Sequence, residues 1–195
     1  MILLGTIVRL QIQLAPLKQG EGKQRVYRPD GILAVPTLDV APAGVTAELD
    51  GRHVLDAHHP AHPRSRNRSD NGVSVGFTGH YDAMRARNGD RAADGVAGEN
   101  ILVAHDGIVV PADIAAGIAI ETASGLVFLD QVIPAPPCAE FSRWIMRFPE
   151  GVPPGRSVTE TLQFLGDGMR GFYAVAAGPA RIDIGDRVFA RMAGE

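Results

Sequence analysis

The stretch GIAIETASGLVFLDQVIPAPPCAEFSRWIMRF, residues 117–148, holds the pattern that decides the fold. Two apolar runs flank Ser124-Gly125, and a turn there predicts a pair of antiparallel strands. Pro134, Pro136 and Pro137 follow. They hold the backbone extended and cannot donate to a sheet ladder, so the second strand is expected to end at Ile133. Beyond them Phe141, Trp144, Ile145 and Phe148 recur at i, i+3, i+4 and i+7, one face of a short helix. Cys138, the only cysteine, lies at the junction between the prolines and that helix.

The same grammar extends in both directions. VRLQIQL alternates, with Val8, Leu10, Ile12 and Leu14 on one side and Arg9, Gln11 and Gln13 on the other, the pattern of a half-buried strand. VTAELDGRHVLDA predicts a hairpin, because Asp50-Gly51 suits a type I′ turn. NILVAHDGIVV predicts another, turning at Asp106-Gly107. TGHYDAMRARNG predicts a short helix with Thr78 as cap and Asn88-Gly89 as stop. SVTETLQFLGDG predicts a third helix, opened by a Ser157–Glu160 capping box and ended at Gly166. GFYAVAAG and ARIDIGDRVFAR read as closing strands, and the polar residues 15–30 as a flexible loop or insertion. Many short strands, three short helices and no βαβ alternation predict a mainly β protein, a closed or nearly closed barrel in one domain over 1–195.

Composition bounds the function. Apolar residues make up 45% and charged residues 21% of 195 residues, with a formal net charge of −3. Such a balance offers no global field for nucleic acid or an anionic membrane. No run is long enough to span a bilayer, and the apolar start MILLGTIVRL lacks a basic n-region and a cleavage site, so a cytoplasmic location is expected. A single cysteine excludes an internal disulfide and a Cys-rich zinc site. There is no P-loop, dinucleotide fingerprint or nucleophile elbow.

Cys138 stands where unpaired N–H groups and the positive helix end favour a thiolate, so its pKa is expected below the free value of about 8.5. The residue suits a nucleophile, a sulfur carrier or a soft metal ligand; a small buried hydrophobe is the plain alternative. His58, His59 and His62 share one loop with Arg64, Arg66 and Arg68. Guanidinium groups grip phosphate bidentately, so the loop reads as an anion site. A histidine-held metal, and with it a metal-dependent hydrolase, is the rival reading. Glu99 and Asn100 follow Gly98 at a strand start, His80 opens the first helix, and Arg170 precedes Gly171. Each is a candidate for a polar group at the barrel mouth.

GVAGENILV, then QVIPAPPC, then GFYAVAAGPARIDIGDRVFAR together resemble the MOSC domain family, found at the C-terminus of molybdenum-cofactor sulfurases and as free-standing bacterial proteins. The likeness runs through Gly98, Glu99, Asn100 and Ile101, the proline approach to Cys138, and residues 171–191. It covers residues 45–192. One departure is clear: many relatives carry His-Gly-Gly before the first helix, where this chain has Gly79-His80 without a second glycine.

The resemblance implies a barrel of the pyruvate-kinase C-terminal type. It implies that Cys138 carries sulfur as a persulfide or binds molybdenum of a pterin cofactor, as a sulfur transferase or a molybdenum-dependent oxidoreductase. His58, His62, Arg64, Arg66, His80, Glu99, Asn100 and Arg170 are then the expected cofactor contacts. The sulfurases' pyridoxal-phosphate domain and a ferredoxin extension are not read in these 195 residues. The sulfur is therefore expected from a cysteine-desulfurase-type donor, or the electrons from a separate donor protein. A non-catalytic barrel that binds an anionic small molecule or a partner protein is the alternative.

Overall fold

The computed structural model describes residues 1–150, 152–192 and 194. It is mainly β, built on a closed seven-stranded barrel with three short α-helices. The barrel strands are β1 (Ile2–Gln13), β8 (Val73–Phe77), β9 (Ile101–Ala104), β10 (Ile118–Thr122), β11 (Gly125–Pro134), β12 (Phe172–Ala176) and β14 (Arg187–Ala190). They run in the order β14-β10-β11-β12-β8-β9-β1, and pairing of β1 with β14 closes the ring. A third partner of β1, β4 (Ile32–Val35), extends its far end. A second sheet of β13 (Ala180–Asp183), β5 (Thr37–Ala41), β6 (Gly44–Leu49) and β7 (Arg52–Leu55) packs beside it.

The decisive stretch folds as its residues dictate. β10 and β11 pair from Thr122↔Gly125 to Ile118↔Leu129. The strand then ends among the prolines, with Pro134 still opposite Phe172. α2 (Ala139–Ile145) follows directly and buries Phe141 and Ile145, with Cys138 as its N-cap residue. The Asp50-Gly51 hairpin also forms as expected. Both residues have positive φ, +48° and +72°, the demand of a type I′ turn that glycine meets without strain.

Other local expectations give way to tertiary demands. Alternation in β1 breaks at a bulge between Ile7 and Arg9, which puts Ile7 and Leu10 inside and leaves Val8 and Leu14 exposed. Gln11 and Gln13 are buried too, because the segment 95–98 lies over their face. Gln11 donates to the Gly95 carbonyl at 2.7 Å and Gln13 to that of Gly98 at 2.6 Å.

Asp106-Gly107 makes no hairpin. β9 instead lies parallel to β8, and the crossover between them is α1 (Thr78–Asn88), so one βαβ unit is present where none was expected. Thr78 does not cap α1: Phe77 is the N-cap residue, and the Thr78 hydroxyl binds the backbone of His105. The Ser157–Glu160 box is also unformed. Gly155 is the N-cap residue of α3 (Arg156–Phe164), which places Ser157 two residues past the cap position.

The interior divides in two. The larger core fills the barrel and the second sheet, with Leu10, Ile12, Leu38, Phe77, Ile101, Leu129 and Phe172 all under 2% exposed. The smaller cluster joins Leu17, Tyr27, Tyr81, Met84, Cys138, Phe141, Ile145 and Leu165 beneath the helices. Residues 15–30 belong to it. They form a small hairpin of β2 (Lys18–Gln19) and β3 (Val26–Tyr27), whose Tyr27 ring meets Phe141 edge-on at 5.0 Å. A cavity opens between this arm and the barrel.

Candidate functional site

A cavity of about 230 Å³ is walled by the end of β1, the β2–β3 arm, the loop 56–71, the segment 97–99, residues 135–136 and the start of β12. Lys18, Arg25, Arg66, Arg68 and Arg170 line it, together with His58 and one carboxylate, Glu99. Opposed to a single acid, that many cations make an electropositive concavity in a chain that is acidic overall.

The His/Arg loop is organised by a buried acid. Asp56 is fully buried; its Oδ1 accepts from the His58 amide at 2.8 Å and lies 3.0 Å from His58 Nδ1. Its Oδ2 accepts from the Gln13 amide at 2.7 Å and from Asn100 Nδ2 at 3.0 Å. The loop then closes on itself through Asn67, which donates to the His58 carbonyl, and Asn71, which donates to that of Arg66. The result carries His58, Arg66 and Arg68 to the cavity, with the Arg68 guanidinium 5.4 Å from the centre of the Tyr173 ring.

Arg170 forms the opposite wall. Its Nη1 donates to the Pro136 carbonyl at 3.1 Å and its Nη2 to that of Ala97 at 3.3 Å. Its guanidinium lies 5.5 Å from the centre of the Phe141 ring. Nε is buried and has no hydrogen-bond partner among the described residues. Burial works against its charge, but Cys138, Tyr173 and Tyr27 together hold the guanidinium above its ordinary pKa. Burial likewise raises the Tyr27 phenol, whose O–H donates to the Val96 carbonyl at 2.6 Å.

Glu99 is 4% exposed. Its Oε2 accepts the Tyr81 O–H at 2.8 Å, while Oε1 has no partner among the described residues. The carboxylate rests over Gly76, where a Cβ would come within 2.8 Å of Oε1, so only glycine leaves it room. Burial outweighs the Tyr81 hydrogen bond and raises Glu99 to about 7.

The sequence-derived candidates therefore separate. His58, Arg66, Glu99 and Arg170 line one cavity. Arg64 and His62 do not: Arg64 is exposed, and His62 Nε2 lies 3.3 Å from the Leu14 carbonyl oxygen. His80 is buried against Phe77 and Phe172, its Nε2 3.0 Å from the Val109 nitrogen, and burial lowers it to about 4. Asn100 is a structural hub that bonds Ser74, Gln11 and Asp56.

Cys138 is 8% exposed and packs in the helix-side cluster with Leu17, Tyr27 and Phe141. It stands behind the wall made by Ala135, Pro136 and Arg170 rather than on the cavity surface. A histidine-held metal finds no support. The His59 ring accepts from the Ala61 amide and the His62 ring from the Arg64 amide, and among the described residues no three His, Cys, Asp or Glu converge. Arg68, read with its loop as part of an anion site, lines the cavity too, whereas Lys18, Arg25 and Tyr173 were missed as site residues; the basic run KQGEGKQRVYR, 18–28, was the available signal for the first two.

This fold and site define a closed β-barrel with a cationic cavity. Among solved structures it is similar to the YuaD protein from Bacillus subtilis, at 14% identity and a TM-score of 0.56, covering 94% of this chain and 93% of that one. It is also similar to YiiM from Geobacillus stearothermophilus, at 15% identity and 0.50, covering 99% and 76%. YiiM from Escherichia coli is similar at 12% identity and 0.50, covering 82% and 66%. At these identities the likeness is one of fold. No protein-family model matches the chain, and no curated protein does.

Proposed function

We propose that this is a MOSC-type protein whose cavity holds a phosphate-bearing anion, with a molybdenum–pterin cofactor as the leading ligand and Cys138 as the sulfur next to it. Arg170 is the observation that carries the reading. One guanidinium lines the cavity, spans the Pro136 and Ala97 carbonyls, and is electrostatically coupled to Cys138 behind the wall. Charge placed in the cavity and charge on the thiol thus share one counter-ion.

The donor set fits the phosphate end of such a cofactor. Arg66 and Arg68 reach from the loop, Lys18 and Arg25 from the arm, and Arg170 from the opposite wall, all of them charged donors to a phosphate oxygen. When bound, the cofactor would supply oxygen-atom or N–O reduction chemistry at its metal. In the carrier role, the Cys138 thiolate attacks the outer sulfur of a donor persulfide. The donor S–S bond breaks, the donor thiolate leaves, and Cys138 keeps the outer sulfur. Either role requires the packing around Cys138 to open, since the thiol is 8% exposed.

That burial favours a second reading, a barrel that binds a phosphorylated small molecule with the thiol taking no part. Mass spectrometry of the native protein and of Cys138→Ala separates the two. An added sulfur on Cys138, or a bound pterin that the variant loses, supports the first. An anion retained equally by both proteins, with Cys138 unmodified, leaves the second.

A further inference from the structure

Glu99 does not belong in a simple anion trap. It is the one carboxylate among the residues that line the cavity, it is 4% exposed, and one of its oxygens is left without a partner. A charged oxygen held so close to a bound anion repels it, and a buried acceptor without a donor is costly. Both difficulties vanish if the ligand itself brings the missing proton.

Resting on the anion-cavity reading above, we propose that Glu99 selects the ligand: it admits an oxyanion that carries its own hydrogen-bond donor and rejects an aprotic anion of the same shape and charge. A hydrogen phosphate meets the cations with its bare oxygens and donates its O–H to the Glu99 carboxylate, whose Oε1 turns from its buried seat against Gly76 to accept it. A sulfate of equal charge has no proton to give and faces the carboxylate as a like charge. In a larger ligand, the group turned toward Glu99 bears O–H or N–H while the phosphate lies among the arginines.

The groups around Glu99 are consistent with this role. From α1, Tyr81 donates to Oε2 and so leaves Oε1 as the vacant acceptor. Arg170, from the segment before β12, and Arg9, from β1, favour the ionised form. Tyr27, from the arm, is buried within the same network. His58, Lys18, Arg25, Arg66 and Arg68 share the cavity and attract either anion. With burial raising it to about 7, Glu99 is ionised in mildly alkaline solution and largely protonated in mildly acid solution.

Selection is therefore strongest on the alkaline side. Once protonated, Glu99 donates to sulfate instead of repelling it. The second proton of phosphate also titrates across this range whereas sulfate does not, so the comparison with a Glu99 variant at each pH is what isolates Glu99.

The experiment is calorimetric titration of the whole protein with inorganic phosphate and with sulfate at pH about 8 and about 6. At the higher pH, phosphate is expected to bind about tenfold or more tightly than sulfate. At the lower pH sulfate recovers. In Glu99→Gln, whose amide donates to sulfate, the preference collapses at both. Gly76→Ala, which pushes the carboxylate aside from a different strand, is expected to weaken the preference as well.

A wild-type protein that binds both anions equally at pH about 8 overturns the selection and leaves the anion cavity standing. So does a preference unchanged in both variants. Failure to bind either anion at either pH overturns both.

Discussion

The buried carboxylate of Asp56 holds His58 twice, through the amide at 2.8 Å and ring Nδ1 at 3.0 Å. With Nδ1 engaged, the loop 56–71 presents Nε2 on the ring edge away from Asp56. The other carboxylate oxygen meanwhile ties the loop to Gln13 and Asn100 at the barrel rim. Asp56→Ala leaves four donors without this acceptor. It is expected to cost about 2–4 kcal/mol of stability. Urea unfolding measures the loss, and proteolysis that begins within 57–71 locates it.

Arg170 makes a sharper prediction, because it both lines the cavity and ties its wall together. Arg170→Met removes the donors to Pro136 and Ala97 and the charge at the cavity wall. Phosphate affinity is expected to fall about tenfold or more, with about 1–3 kcal/mol of stability lost. Arg170→Lys keeps the charge but cannot span two carbonyls and an anion, so it restores only part of the affinity. Calorimetry on the three proteins decides it.

Glu99 links stability to pH. Its folded pKa, about 7, stands above the usual 4.5. The folded state therefore binds the proton more tightly. The stability it confers is full below 4.5 and is lost as pH rises through about 7, a change of about 3 kcal/mol. Because His80 titrates with the opposite sign in the same range, the readout is the difference between two profiles: in oxyanion-free buffer Glu99→Gln should gain stability relative to the wild type as pH rises from about 4.5 to about 7.

His80 acts in the opposite direction. Burial lowers it from 6.5 to about 4, so the unfolded chain takes the proton first. Its contribution is present above pH 6.5 and is lost as pH falls through about 4, again about 3 kcal/mol. His80→Leu forfeits the Val109 contact and is less stable near neutrality, but its thermal midpoint should fall less on acidification than that of the wild type.

Local periodicity carried most of the architecture. Strand–turn–strand patterns around Ser124-Gly125 and Asp50-Gly51, and the proline stop before Cys138, depend only on residues close in the chain. Their physics is complete in the sequence. Expectations failed where a distant element intervened. Gln11 and Gln13 looked solvent-facing until 95–98 covered them, and Thr78 looked like a cap until His105 offered it a backbone partner.

The candidate site divides along the same line. Residue types alone marked Arg66, His58, Glu99 and Arg170, because clustered guanidinium groups and a glutamate at a strand start are chemically conspicuous. Lys18 and Arg25 escaped notice, since a polar hairpin gains its role only by packing Tyr27 onto Phe141 and turning its cations inward. His62 and Arg64 were chemically as good as their neighbours, yet the loop folds them to the outside.

The sequence by itself determined a barrel of short strands, one cysteine at a strand-to-helix junction, and a loop rich in anion-binding side chains. Only the tertiary structure decided that a single carboxylate faces those cations and that the thiol stands behind the wall they share. Hydrogen bonding and turn preference act between near neighbours and are written locally. Burial and electrostatic coupling depend on which distant segments close over a group, and that closure exists only in the folded chain.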